Sequence, residues 1–288
     1  VKPDSELLKA ADPIIESELA ADLGKEGDLT SLFTVPAGLT GTGEILSKGE
    51  GRVAGLEIAA RVFCRVDSTV TLDLRIRDGQ AVTRGSVIGT AAGPVRSLLS
   101  AERTALNFIQ RLSGIATRTA AFVAAVKGTN AVILDTRKTT PGWRVLEKYA
   151  VRQGGGRNHR MGLYDAVMIK DNHVDACGGI GKAIERCLEN MKKNGKPLFI
   201  EVETRNLDEV REAAGYPIQR IMLDNMDAGT MREAVRMIGG RIETEASGNV
   251  TLANVRSVAD TGVNYISIGG LTHSVPVLDI SFDIRIAR

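Results

Sequence analysis

The chain has 288 residues, 43% hydrophobic and 25% charged, enough for one large or two ordinary domains with a sizeable core. Its 37 Lys and Arg stand against 35 Asp and Glu, a formal net charge of +2. No basic stripe forms, so nucleic acid is not an expected partner. No apolar run approaches the roughly 20 residues of a membrane span, so no membrane association is expected. The opening residues Val1-Lys2-Pro3-Asp4-Ser5 have no signal-peptide character. Cys64, Cys177 and Cys187 form no CxxC pair, so reduced thiols in the cytoplasm are expected.

Apolar residues at helical spacing predict a helix over Pro13–Leu23, stopped by Gly24. Short strands are predicted over Gly43–Ser47 and Thr69–Ile76, with a helix over Gly55–Val66 between them. Asp78–Thr90 reads as strands joined by Gly turns, like the hairpins of biotinyl and lipoyl carrier domains in architecture only, since their modifiable Lys is absent. Over Ser100–Gly114, Ala101, Ala105, Phe108 and Leu112 follow the helical period, with Ser100 as a candidate cap and Arg103 as an ordinary solvated side chain. This part is read as α+β with an antiparallel sheet.

From about Ala116 the pattern changes. Apolar runs recur at Val132–Leu134, Ala166–Ile169, Leu198–Val202, Ile221–Leu223, Arg241–Thr244 and Tyr265–Ile268. Helix-like stretches include Ala183–Lys193, Leu207–Ala214, Ala228–Ile238 and Leu252–Ala259. This alternation predicts βαβ units and a parallel sheet. Six strands are fewer than the eight of a full barrel, which predicts an open one whose gap something else covers, such as a second subunit. The alternative is a doubly wound sheet, but no GxGxxG follows the first strand.

The predicted strand ends carry the polar chemistry. Asp135-Thr136-Arg137-Lys138 ends the first run and Lys170 the second. With Arg144, Arg157 and Arg160 these cations fall at loop-like positions and suit a substrate with several negative groups. Glu201 and Glu203, two apart, point the same way from one strand, and Asp224 closes the next. These carboxylates suit Mg2+ held together with a substrate diphosphate; equally, Glu201 or Glu203 could pair with Lys170 or an Arg inside the barrel. Glu245-Ala246-Ser247-Gly248-Asn249 and Ser267-Ile268-Gly269-Gly270 end the last two runs, where small residues expose backbone N–H groups to a phosphate. His159, His173 and His273 all lie in these stretches but form no metal-ligand spacing.

Taken in order, the motifs resemble those of the quinolinate phosphoribosyltransferase family. They are Asp135–Gly142 (DTRKTTPG), Gly154–Leu163 (GGGRNHRMGL), Ile169–His173, Glu201-Val202-Glu203, Leu223-Asp224-Asn225, Glu245–Asn249 and Leu271–Ser274, with Ala101–Asn107 and Arg111–Thr117 upstream. The resemblance implies an α/β fold with an N-terminal α/β sandwich domain over 1–115, on which a terminal strand within 276–288 could pack. An open parallel α/β barrel over 116–275 would carry the site. It implies transfer of phosphoribosyl from 5-phosphoribosyl-1-pyrophosphate to quinolinate, with Mg2+ and loss of CO2, giving nicotinate mononucleotide and pyrophosphate. This is a step of NAD synthesis. By motif, Arg137, His159 and Arg160 would hold the quinolinate carboxylates, and Arg103 would reach them from the partner in a homodimer that sometimes assembles further. Lys138 and Lys170 would face the sugar–diphosphate. Glu203 and Asp224 would bind Mg2+ or ribose hydroxyls. Ser247, Gly248, Gly269 and Gly270 would cradle the 5′-phosphate, supported by His273. Trp143 departs from the smaller aliphatic residue common in the family.

Rival readings are a sister enzyme using another anionic acceptor such as nicotinate, an aldolase or lyase with Lys138 or Lys170 as a Schiff-base amine, and a binding protein that keeps the fold. Nicotinate, with one carboxylate, would need fewer cations.

Overall fold

The computed structural model describes residues 5–286. In chain order the first half holds α1 (Ser5–Leu23), α2 (Leu29–Thr34), β1 (Thr40–Ser47), β2 (Gly51–Arg52), α3 (Leu56–Val66), β3 (Thr71–Leu74), β4 (Ala81–Val82), β5 (Val87–Pro94) and α4 (Val95–Ala125). There follow β6 (Val132–Leu134), α5 (Arg144–Gln153), β7 (Val167–Ile169), α6 (Asp171–Cys177), α7 (Ile180–Asn194), β8 (Ile200–Thr204) and α8 (Leu207–Ala213). The last are β9 (Arg220–Asp224), α9 (Ala228–Ile238), β10 (Glu243–Ser247), α10 (Val255–Ala259), β11 (Tyr265–Ser267) and β12 (Ile280–Ile286). None of these helices is long and apolar enough to cross a membrane.

The described residues fall into two compact units. One holds those up to Ala120, Thr139–Gly155 and those from Gly270 onward; the other holds Ala121–Lys138 and Gly156–Gly269. Residue 115, the expected domain limit, lies within α4, so the chain leaves the first unit in mid-helix.

The first unit contains an antiparallel sheet in the order β12-β1-β5-β3 and a two-stranded β2-β4 ribbon. Along β1 the buried residues alternate, Gly41, Gly43, Ile45 and Ser47, as a sheet with one covered face requires. Gly43 is needed because the Phe282 ring of β12 occupies the space a side chain would fill, and that ring also meets Phe63 of α3 at 5.5 Å between centroids. Of the expected terminal strand, β12 pairs with β1; residues 287 and 288 lie outside the described residues, as do the first four residues on which the N-terminal reading rests.

Several local expectations are corrected. The first helix begins at Ser5, with Pro13 inside it. Leu7, Ala11 and Ile15 form one buried stripe across the Pro, so packing sustains the helix although Pro13 cannot donate its hydrogen bond. The stretch Asp78–Thr90 is no hairpin: β4 pairs with β2, and β5 pairs with β1 and β3. Ser100 sits inside the 31-residue α4, not at a helix start, and its hydroxyl donates to the Arg96 carbonyl. Arg144 is the first residue of α5, not a loop residue.

The second unit is a six-stranded parallel sheet in the order β6-β11-β10-β9-β8-β7. The first two strands in sequence, β6 and β7, are its two edges and do not pair, so the barrel is open. Each of β8, β9 and β10 buries at least three consecutive residues, as parallel strands covered on both faces do. β8 and β10 begin two residues later than the apolar runs suggested and continue past their expected ends, taking Glu203 and Glu245 into the strands.

Candidate active site

Because all six strands run the same way, their carboxyl ends share one edge, and the sequence places its polar residues there. The exit from β6 is built around Asp135, which is fully buried. Its Oδ1 accepts the His159 N–H at 2.9 Å and its Oδ2 accepts Asn158 Nδ2 at 2.5 Å. Arg157 forms a parallel bridge with Leu134. The segment carrying His159 and Arg160 is thereby fastened beside Arg137 and Lys138. Lys138 is exposed, and its backbone N–H donates to Thr136 Oγ1 at 3.0 Å.

Arg160 donates to the Ala166 carbonyl at 3.0 Å and to the Met168 sulfur at 3.6 Å. Burial pushes its pKa down, and the charge of nearby Arg137 pushes it further. Two guanidiniums held within reach of each other's field are a preorganised place for an anion.

At the far edge Lys170 Nζ lies 2.9 Å from Glu203 Oε2, with the Glu203 side chain only 11% exposed. His173 Nδ1 accepts the Lys170 N–H at 2.9 Å, which holds the chain as it enters α6. Asp224 is the last residue of β9, half-buried, and in register with Ser247, the last of β10. Gly248 follows with φ at 93°, in the left-handed region, and Gly269 opens a short helical turn two residues past β11. Arg137, Lys170, Glu203, Asp224, Ser247, Gly248 and Gly269 therefore all lie on or next to the carboxyl-end edge of one sheet, while Arg160 leaves the chain beside Asp135 and reaches to the start of β7.

A second charged layer lies below that edge. His159 Nε2 is 3.0 Å from Glu201 Oε2 and 3.4 Å from Glu245 Oε2, and both glutamates are buried. Arg220 bonds Glu245 at 3.0 Å and Glu243 at 3.0 Å, and its guanidinium stands 3.9 Å from the Tyr265 ring centroid. Burial works against a charged imidazole, but the two carboxylates outweigh it and hold the His159 pKa up, at about 9. Burial and the charge of Glu245 push the Glu201 carboxyl up. Burial also acts to raise Glu245, but His159, Ser267 and Arg220 more than offset it and hold it low. Arg220 was missed from the sequence, because an Arg opening an apolar run reads as a boundary residue.

A family model described as the quinolinate phosphoribosyl transferase C-terminal domain matches residues 115–283, and the model for the N-terminal domain matches 28–113. The chain belongs to the quinolinate phosphoribosyltransferase family. It is 44% identical over 299 aligned residues to quinolinate phosphoribosyltransferase [decarboxylating] 2, mitochondrial, of Nicotiana glauca, covering 99% of this chain and 85% of that protein. It is also 44% identical to the chloroplastic nicotinate-nucleotide pyrophosphorylase [carboxylating] of Arabidopsis thaliana, with the same coverage. Its fold matches the crystal structure of NadC from Streptococcus pyogenes with a TM-score of 0.91 at 38% identity, over 96% of this chain and 97% of that one.

The remaining motif residues of this quinolinate phosphoribosyltransferase family member lie in the first unit. Arg103 is exposed on α4. Gly270 belongs to the turn before Leu271, and His273 Nδ1 is 2.6 Å from Ser274 Oγ on an exposed loop. Arg111, also on α4, joins two motif stretches: one of its Nη atoms donates to Glu147 at 2.7 Å and to the Thr272 carbonyl at 2.6 Å. The fully buried Glu147 accepts in turn from the Thr140 N–H at 3.1 Å and the Thr140 hydroxyl at 2.8 Å. Trp143 fills the neighbouring turn and stacks on Phe108, centroids 4.9 Å apart.

Two donor sets bear on a metal. His159, Glu201 and Glu245 offer ligand atoms within 4.8 Å of one another, but both glutamates are buried, Glu201 already paired with His159 and Glu245 with Arg220. Mg2+ sheds water reluctantly and prefers oxygen donors beside substrate phosphates. Glu203 and Asp224, hard carboxylates at the carboxyl-end edge with Asp224 only half-buried, fit it better, Glu203 then exchanging its contact with Lys170.

Proposed function

We propose that the protein joins quinolinate to 5-phosphoribosyl-1-pyrophosphate and releases CO2, forming nicotinate mononucleotide and pyrophosphate. The observation that supports this reading is that Arg137 stands near enough to Arg160 for their charges to act on each other, in the same unit whose strand ends carry Lys170, Glu203 and Asp224. Quinolinate carries two adjacent carboxylates, and planar guanidinium forks suit them better than ammonium groups do. The Nε2 end of His159 is turned to Glu201 and Glu245, so its assigned part at the carboxylates is indirect, through the Asp135-anchored segment that carries Arg160. Arg103, exposed on α4, is assigned to the same pocket across a homodimer. A dimer is favoured by the exposed apolar face of α2, where Phe33 is 78% exposed.

Lys138 and Lys170 are assigned to the sugar and diphosphate. Ser247, Gly248, Gly269 and Gly270, with His273 in support, are assigned to the 5′-phosphate, which backbone N–H groups at strand ends accept readily. When bound at Glu203 and Asp224, Mg2+ would neutralise the diphosphate leaving group. As the bond from the anomeric carbon to the diphosphate breaks, positive charge grows on the sugar, and carboxylates near it lower the barrier electrostatically. The pyridine nitrogen then forms its bond to that carbon. Loss of the 2-carboxylate as CO2 and protonation of the ring carbon need no further cofactor. Three free thiols favour a reducing compartment, and the cytoplasm is the proposed one.

The test is direct: purified protein, quinolinate, the phosphoribosyl donor and Mg2+, with nicotinate mononucleotide followed by chromatography. Product with nicotinate but not with quinolinate would move the protein to a sister activity. A covalent adduct after borohydride reduction would support a Schiff-base lysine instead.

A further inference from the structure

Asn225 and Asn249 are the non-glycine residues with positive φ among those described, at 54° and 53°. Asn tolerates this region better than most side chains, yet such strain persists only where the surroundings impose it. The two residues face each other across neighbouring strands. Asn225 follows Asp224 at the end of β9, Asn249 follows Gly248 past the end of β10, and Asn249 Nδ2 donates to Asn225 Oδ1 at 3.1 Å. The other end of the Asn225 amide, Nδ2, donates to Asp224 Oδ2 at 2.7 Å. Chemistry fixes this orientation, because a carboxylate only accepts and so must face the amide nitrogen.

The backbone repeats the connection. Asn225 N–H donates to the Ser247 carbonyl at 2.9 Å. The Asn249 carbonyl accepts from Asn254 Nδ2 at 3.0 Å, and Asn254 Oδ1 accepts the Thr251 N–H at 2.7 Å. Gly248 is left-handed too, and any side chain there would overlap the Asn225 amide. One side-chain amide thus sets the direction of the Asp224 carboxylate and the shape of the Gly248-Asn249 turn. Successive N–H groups in turns of this kind form concave anion sites.

We infer that Asn225 is a positioning residue that couples the acidic end of the donor site at Asp224 to its 5′-phosphate end at Gly248-Asn249. The inference rests on the proposed roles of Asp224 and Gly248. It predicts that the phosphoribosyl donor, which spans both ends, depends on Asn225, whereas quinolinate does not.

Two variants separate this from a structural role. Asn225→Gly suits the left-handed backbone and deletes the amide; Asn225→Asp keeps the shape but replaces the donor with a second carboxylate oxygen. Thermal melts establish that each is folded. Steady-state kinetics then give KM for both substrates, and calorimetry without Mg2+ gives the Kd of ribose 5-phosphate, which carries the phosphate but no diphosphate. In both variants KM for the donor and Kd for ribose 5-phosphate should rise about tenfold, with KM for quinolinate changing by less than about twofold. Adding Asn249→Gly to Asn225→Gly should weaken ribose 5-phosphate binding no further, because the two amides act as one unit. Wild-type donor KM and ribose 5-phosphate Kd in Asn225→Gly overturn the inference, and so does equal damage to both substrates with a lowered melting temperature. Wild-type protein that makes no nicotinate mononucleotide overturns the proposed function instead, and the ribose 5-phosphate titration still judges the coupling.

Discussion

The buried layer of His159, Glu201, Glu245 and Arg220 allows a stability prediction with a definite sign. Folded His159 holds its proton up to about 9, against an ordinary value of 6.5. A rise of that size is worth about 3 kcal/mol. A pKa raised by folding stabilises fully below the ordinary value, and the contribution is lost as pH climbs through the folded one. One contact opposes this: the Arg160 N–H lies 2.7 Å from His159 Nδ1, which accepts only while the ring is neutral. A single such bond is worth about 1 kcal/mol, less than two charge pairs away from water, so the charged ring prevails at neutral pH. Urea unfolding should therefore show His159-dependent stability that is flat below about pH 6.5 and falls by about 3 kcal/mol towards pH 9 and beyond. His159→Gln keeps a donor but no charge, leaving both glutamates to Arg220, and should cost about 3 kcal/mol near pH 6. The variant and wild-type curves should converge near pH 10, roughly a unit above the folded pKa. Two curves that run parallel from pH 6 to pH 10, roughly the window of the titration, would refute the charged-ring account.

Three further outcomes follow from the same geometry. Arg137→Ala should raise KM for quinolinate by about 100-fold, the loss of a charge-assisted fork, and leave thermal stability within about 1 kcal/mol of wild type; an unchanged KM removes Arg137 from the carboxylate site. Glu147→Gln keeps the size but weakens the tie between Arg111 and Thr140, and should cost about 2 kcal/mol in denaturant melts, below the cost of breaking a fully buried pair because Arg111 is 26% exposed. Chelation of divalent cations should abolish product formation, Mg2+ should restore it, and Glu203→Gln should raise the Mg2+ needed for half-maximal rate by about tenfold.

The parallel unit was legible because most of its strands begin as short apolar runs that give way to Gly or polar residues, and that punctuation survives whatever the strands enclose. The full extent of β8 and β10 was not, because charged residues are buried in them: Glu201 and Glu245 are answered by His159 and Arg220 from other parts of the chain. Sequence spacing showed that Glu201 and Glu203 share a face but not that they part company, one buried against His159 and the other meeting Lys170 at the sheet edge. Asn225 carried no local signal beyond its motif, since its role depends on a left-handed backbone opposite Gly248. The helix α5 was hidden by the cations around it, although Leu146, Tyr149 and Ala150 give it a buried face.

The interrupted course of the chain through its two units has a consequence for anyone dividing the gene. A cut near residue 114, between the regions matched by the two family models, would sever α4 in its middle. The upstream fragment would lack Thr139–Gly155, with the Glu147 carboxylate that Arg111 grips, and it would lack β12, leaving one flank of β1 unpaired. Neither piece is a transplantable module, and fusion or shuffling at that junction should yield insoluble halves that regain structure only when co-expressed.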